Sequence, residues 1–274
     1  MTRAIAPEGD RSRMPRAVVL FAHYDDEVIA IGARLRRFAK AFWVHITDSA
    51  PRNEEDAQAH GFASLAAYRA AREKEFRTAL NSAGFSNINH ECLGIPDQEA
   101  SLRLSELTFR ISRILDEYEP EIIFTHPYEG GHPDHDACAF GVHQAVSLKK
   151  KQNKSAPLII EAAFYHSGAN GIETGSFLPT DPRTKEVFFG LSPEERRRKE
   201  TLLACFATQQ ETLKYFSAEH ERFRIAPRYN FQKPPHAPPV FYDSYPWGMD
   251  SHRFCQLAQE AEQSMLQGIS ISTR

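Results

Sequence analysis

The chain has 274 residues, with 33 Lys+Arg against 36 Asp+Glu and four cysteines. Balanced charge gives no pull toward nucleic acid or anionic membranes, and no apolar run approaches the length of a bilayer span. Cys92, Cys138, Cys205 and Cys255 form no C-x-x-C pair, which fits free thiols in a reducing cytoplasm better than a disulfide framework or thiolate zinc site.

Residues 1–14 carry basic side chains but no apolar h-region, so they read as a flexible tail and not as a secretory signal. From residue 15 to 274 the pattern fits one domain. "AVVLFAH" (17–23) is short, apolar and β-branched, as a buried strand is. Residues 26–40 place Val28, Ile31 and Leu35 at helical spacing, with basic residues near the end. Residues 41–48 read as a second strand, and about 64–83 as a helix stopped by Gly84. Residues 88–95 read as a third strand, and 101–119 as a periodic helix ended by Pro120. "EIIFTHP" (121–127) is a fourth strand, 134–150 a helix and 157–166 a fifth strand. The alternation predicts a three-layer α/β, Rossmann-like fold with a mostly parallel sheet of order 3-2-1-4-5. Further on, "KEVFFGL" (185–191) reads as one more strand and 192–216 as a helix opened by Ser-Pro-Glu-Glu. Residues 223–248 hold too much proline for regular structure, so 185–274 is expected as a C-terminal extension packed on the domain.

Two clusters carry the chemistry. His23, Asp25, Asp26 and Glu27 follow the first strand; His132, Asp134, His135 and Asp136 follow the fourth. In the expected sheet those strands are neighbours where the winding reverses, so their C-terminal ends frame a ligand crevice. Neighbouring carboxylates repel and are costly to bury without a cation. Two imidazoles and one carboxylate suit a divalent metal with a position left for water. A His-x-Asp…His reading as a facial-triad Fe(II) oxygenase would make Asp25 the ligand, and would expect an all-β barrel. A receiver-like module would hold magnesium through oxygens and leave the histidines without a purpose. A non-catalytic sugar-binding module is the third alternative.

These residues resemble the LmbE-like (PIG-L) family of zinc-dependent N-acetylglucosaminyl deacetylases. "HYDDE" (23–27) and "HPDH" (132–135) stand where the family carries His-Pro-Asp-Asp-Glu and His-x-Asp-His. Arg72, Glu75 and Gly84, "TDSA" (47–50) and "LGIPD" (93–97) extend the likeness over about residues 15–166. The Pro-Pro-His and Trp-Gly segment is similar to a subset of the family. The resemblance implies His23, Asp26 and His135 as ligands of Zn2+ or Fe2+ and Asp25 as general base. It implies His132 as the oxyanion-stabilising group, Asp134 as the residue holding His132 in a protonated form, and Arg72 and Asp97 as contacts to sugar hydroxyls. Tyr24 stands in place of the family's proline. Gly130 stands where some members have a tyrosine, and Tyr128 lies near enough in sequence to replace it.

The remaining candidates read more plainly. His236 sits where a covering segment would reach the pocket. Glu27 and Asp136 read as first-turn helix carboxylates. His45, His60, His90, His143 and His166 read as ordinary histidines. Tyr242, Tyr245 and Trp247 read as apolar pegs or sugar-stacking rings. The expected activity is metal-dependent removal of an N-acyl group, above all acetyl, from a small amino sugar or glycoconjugate. No nucleic-acid or membrane partner is expected, and the oligomeric state is left open.

Overall fold

The computed structural model describes Ile5 and residues 13–85, 87–169 and 171–272, with side chains as far as residue 267. The tail read over residues 1–14 lies almost wholly outside the described residues.

β1 (Ala17–Phe21) is apolar and buried along its whole length. Val18 and Leu20 enter one core, Val19 and Phe21 the other, as in a parallel strand covered on both faces. It leads into α1 (Asp26–Ile31), which tightens to a 3₁₀ segment over Gly32–Phe38. β2 (Phe42–Pro51), α2 (Glu55–Ala59) and α3 (Leu65–Ser82) follow, and the Ser64 hydroxyl caps α3 by accepting the Ala67 N–H. Next come β3 (Asn89–Asp97), α4 (Leu104–Tyr118), β4 (Ile122–Thr125), α5 (Pro133–Lys151) and β5 (Leu158–Ala162). A hairpin of β6 (Tyr165–Gly168) and β7 (Gly171–Thr174) stands apart from the sheet. The chain continues as β8 (Glu186–Gly190), α6 (Pro193–Leu203), α7 (Gln210–Leu213), β9 (His220–Ile225) and α8 (Ser251–Ser272).

The sheet order is β3-β2-β1-β4-β5-β9-β8. β3 to β5 are parallel in the expected order, while β9 is antiparallel to both β5 and β8. One core gathers α4, α5 and α8 on one face, and the other gathers α1, α3 and α6 on the opposite face. The layers are therefore helix, sheet, helix. The winding reverses between β1 and β4, which opens the crevice at their C-terminal ends.

Residues 185–274 do more than pack on this frame, because β8 and β9 are strands of the sheet itself. The strand read over 157–166 breaks after Ala162, and its last residues become β6. The helix read over 192–216 stops at Leu203. There Phe206 drops into the core, and Thr208 turns back to give its N–H and hydroxyl to Glu75, at 2.9 and 2.7 Å. Residues 226–248 are largely irregular, with Phe231, Val240 and Tyr242 buried as pegs.

Candidate metal centre and active site

The crevice brings both clusters together. His23 Nδ1 lies 3.5 Å from Asp26 Oδ2, His135 Nε2 lies 3.4 Å from Asp26 Oδ1, and the two imidazole nitrogens are 3.3 Å apart. Ligands about 2.0–2.1 Å from a tetrahedral centre stand roughly 3.3–3.4 Å from one another, and each of these contacts is near that length, although the two imidazoles meet different oxygens of Asp26. The sets that converge within 4.8 Å through one atom each include His23, His132 and His135, and Asp26, His126 and His135, which share His135. The other nitrogen of His23, Nε2, donates to Asp97 Oδ1 at 3.0 Å and faces Asp134 Oδ2 at 3.4 Å. A carboxylate behind a ligating imidazole fixes its tautomer and ring angle.

The charge balance favours a cation. Asp25, Asp26, Asp97 and Asp134 converge on the site and Arg72 approaches it. Burial alone would lower the basicity of His23, but Asp97, Asp134 and Asp26 together hold it well above the usual imidazole range. Asp26 is held well below the carboxylate range: its burial is outweighed by His135 and His126.

Local backbone explains why adjacent aspartates point differently. Asp26 accepts the His23 N–H at 2.7 Å, folding its carboxylate back toward the imidazoles. Asp25 sits at φ 137, a conformation a non-glycine residue adopts at a cost of about 1–3 kcal/mol, and its carbonyl caps α1. Its carboxylate meets Arg72 Nη2 at 3.3 Å. Burial pushes the Asp25 carboxyl up to about 7 against the pull of Arg72. Glu27 is a first-turn carboxylate of α1 as expected, and it is fully buried: it accepts the Asp25 N–H at 3.2 Å and faces His45 Nε2 at 3.2 Å. His45 in turn reaches His90 at 3.0 Å, so a polar chain braces the base from behind.

His132 is the N-cap of α5, and its Nδ1 accepts the Asp134 N–H at 3.1 Å. The expected role of Asp134 needs correcting. Its carboxylate stands 3.9 Å from His132 Nδ1 and instead accepts the N–H groups of Gln98 at 2.6 Å and Ala100 at 2.9 Å. Burial, reinforced by His23, lowers His132 well below the usual imidazole range. A neutral ring with Nδ1 accepting carries its proton on Nε2. Asp136 likewise has a structural task, accepting the N–H groups of Glu129 and Gly130 and the Tyr242 hydroxyl.

A cavity of about 330 Å³ opens onto these groups. Arg72 and Asp97 line it, but Arg72 is held by Asp25, Ser49 O at 3.2 Å and Thr208, and Asp97 is held by His23. His236 is not brought to the cavity; its Nδ1 faces the Ala237 carbonyl. Tyr128 is turned away as well, its hydroxyl donating to Lys233 O at 2.9 Å. Gly130 has φ +72, and a Cβ there would stand 2.7 Å from that of Val240, which explains the missing tyrosine. The C-terminal segment instead contributes Tyr245 and Trp247 to the lining.

His126 escaped the sequence reading. It is fully buried, stacks on His135 at 3.8 Å, and its Nε2 lies 3.2 Å from Asp26 Oδ2 and 3.0 Å from the Ala22 nitrogen. Its only signal was a histidine ending an apolar strand, with its partner 100 residues away. Asp25 faces Arg72 while Asp26 faces the imidazoles, which is opposite to the oxygenase pattern, and the sheet is not a barrel. The converging histidines equally disfavour an oxygen-only magnesium site.

Comparisons with known proteins agree with this geometry. The family model described as PIG-L: GlcNAc-PI de-N-acetylase matches residues 18–146. A probable N-acetyl-alpha-D-glucosaminyl L-malate deacetylase 2 of Bacillus cereus is 29% identical over 144 residues, covering 50% of this chain and 63% of that protein. The chain thus matches less than two thirds of that relative's length. The A40926 pseudoaglycone deacetylase Dbv21 superposes with a TM-score of 0.58 at 18% identity, over 79% of this chain and 98% of that one. The 4-carboxy-2-hydroxymuconate hydratase GalB of Pseudomonas putida KT2440 superposes at 0.51 and 17% identity, over 79% and 98%. At such identities the likeness shows the fold alone, and that fold serves both a deacetylase and a hydratase.

Proposed function

We propose that the chain, whose residues 18–146 match the PIG-L family model, is a member of that family and a divalent-metal-dependent hydrolase. It removes an N-acyl group, acetyl first among them, from an amino sugar or amino-sugar conjugate. The observation that carries this reading is the meeting of His23 and His135, 3.3 Å apart, with the two oxygens of Asp26 at 3.5 and 3.4 Å, and the Asp25 carboxylate beside them. Zinc fits the nitrogen and oxygen donors, and iron(II) suits the same set. Such an ion, when bound, would polarise the scissile carbonyl and raise the acidity of water.

The chain's own groups do the rest. Asp25, with its carboxyl near neutrality and aimed by Arg72, takes a proton from the attacking water and returns it to the departing amine nitrogen. His132 donates from Nε2 to the carbonyl oxygen as charge builds there. Asp97 and Asp134 keep His23 in register, and Trp247 covers the His132 ring at 4.7 Å. All four cysteines are free, as in a reducing cytoplasm, where we place the protein. Among the described residues no helix is long and apolar enough to cross a membrane.

The test is amine release from a panel of N-acetylated amino sugars, with and without a chelator. Wild type should release amine, chelator should stop it, and Asp25→Asn should slow it by about 10²–10⁴-fold. His132→Ala should slow it by about 10²–10³-fold. Equal release by wild type and Asp25→Asn would remove the base role and the reading with it.

A further inference from the structure

The cavity has two unlike walls. One carries an aromatic band between the two site imidazoles, whose rings all line the cavity except Phe241. His135 meets Tyr165 at 5.4 Å, Tyr165 meets Phe241 at 5.5 Å, and Phe241 meets Tyr245 at 5.0 Å. Tyr245 then stacks on Trp247 at 4.5 Å, and Trp247 meets His132 at 4.7 Å. Apart from the imidazoles, every ring in the band lies beyond residue 146, outside the matched family segment. Tyr245 is 42% exposed at the mouth, so the outer end of the band is available for contact.

The charged side chains in the rest of the lining are mostly acidic. Asp25, Asp26, Asp56, Asp97 and Glu211 line the cavity, Glu211 paired with Lys214 outside the lining, and Arg72 is the only lysine or arginine that lines it among the described residues. Arg72 is committed to Asp25 at 3.3 Å and Glu75 at 3.7 Å, so it offers an incoming anion little. Even a bound dication leaves this lining negative. An anion at the mouth would meet like charge, whereas an apolar ring face would meet Tyr245 and Trp247.

We propose that the Tyr245–Trp247 face is a subsite for the part of the substrate attached to the N-acyl sugar, and that it takes an uncharged group with a flat apolar face. Conjugates bearing a carboxylate or phosphate at that point are disfavoured. This rests on the hydrolase reading above and adds the substrate class to it. Selectivity arises from attraction on one wall and repulsion on the other.

Three N-acetylglucosamine substrates test it with the metal-loaded full chain: the free sugar, its 4-carboxamidophenyl glycoside and its 4-carboxyphenyl glycoside. The carboxamide should exceed the carboxylate in kcat/KM by about tenfold or more at low salt, and the gap should shrink as salt rises. Tyr245→Ala, at an exposed position, should raise KM for the carboxamidophenyl glycoside by about 2–10-fold more than it raises KM for the free sugar. Glu211→Lys should narrow the carboxamide-to-carboxylate ratio several-fold. If none of the three releases amine, the hydrolase reading falls and takes this proposal with it. If amine is released but the carboxylate equals or exceeds the carboxamide, or Tyr245→Ala leaves the two KM values in their original ratio, the subsite is wrong while the hydrolase reading stands.

Discussion

Replacing Gly131 with alanine probes how the oxyanion-side loop is held. A Cβ at that position would lie 2.2 Å from the Tyr165 carbonyl oxygen and 3.0 and 3.1 Å from two carbons of its ring. Ordinary van der Waals separation would require roughly 1 Å more, and one partner is rigid backbone of β6. The loop must therefore retreat, carrying the next residue, His132, with it. Overpacking of this kind costs about 1–3 kcal/mol. A chain of this size loses about 2–4 °C of Tm per kcal/mol, so Tm should fall by roughly 2–12 °C. A catalytic group misplaced by about 1 Å loses on the order of 10² in rate, so kcat should fall by about that factor. Gly61→Ala is the control: unlike Gly131 it has positive φ, +77, yet nothing lies within 4 Å of the added carbon. It should lose only about 1 kcal/mol and keep its activity. Thermal melts and amine-release kinetics on both variants decide the matter. Gly131→Ala with wild-type Tm and kcat/KM would show that the loop and β6 are not in this contact.

Three further outcomes are expected. His126→Phe keeps a ring against His135 but removes the nitrogen beside Asp26, so metal affinity should drop about 10–100-fold in a chelator competition, and unchanged affinity would deny His126 that role. Glu221 accepts the Ala33 N–H at 2.8 Å, pairs with Arg34 and meets Lys199 at 3.4 Å, all buried. Glu221→Ala should then cost about 3–5 kcal/mol in denaturant unfolding, because two cations lose their counter-charge; a loss below about 1 kcal/mol would contradict this. The third concerns pH: burial pushes the Glu129 carboxyl up to about 8 from an ordinary 4.5, against the pull of Arg224. Between those values the folded chain keeps on Glu129 a proton that the unfolded chain has released, so this group's contribution to stability is fully present below 4.5 and is lost as pH rises toward 8. The slope is at most about 1.4 kcal/mol per pH unit. Glu129→Gln should flatten this slope between about pH 5 and 8, and parallel curves for the two proteins would refute it.

The frame was legible where burial is written as apolar sequence. β1 and β4 are continuous apolar runs because helices cover both faces, and their neighbourhood followed from the alternation. β9 was hidden because its buried positions include Glu221 and Arg224, whose burial depends on partners elsewhere in the chain. α8 follows a proline-rich stretch that masks its helical period, although Phe254, Ala258, Ala261 and Met265 bury one helical face.

The site divides in a similar way. His23, Asp26 and His135 stood out because ionisable residues at strand ends need a reason to be there. The tasks of Asp97, Asp134 and Arg72 did not, since each depends on contacts across separate segments: His23 for Asp97, the N–H groups of Gln98 and Ala100 for Asp134, and Asp25 for Arg72. Trp247 and Tyr245 read as pegs or as sugar-stacking rings in the sequence, because composition cannot tell a ring that seals a core from one that lines its mouth.

Metal content of purified wild type, Asp25→Asn and Asp26→Asn, measured per folded chain, tests the central claim most directly. About one divalent ion should remain with wild type and with Asp25→Asn, and it should be lost from Asp26→Asn. The reverse result, with Asp26→Asn loaded and Asp25→Asn empty, would mean that the neighbouring carboxylates hold each other's roles.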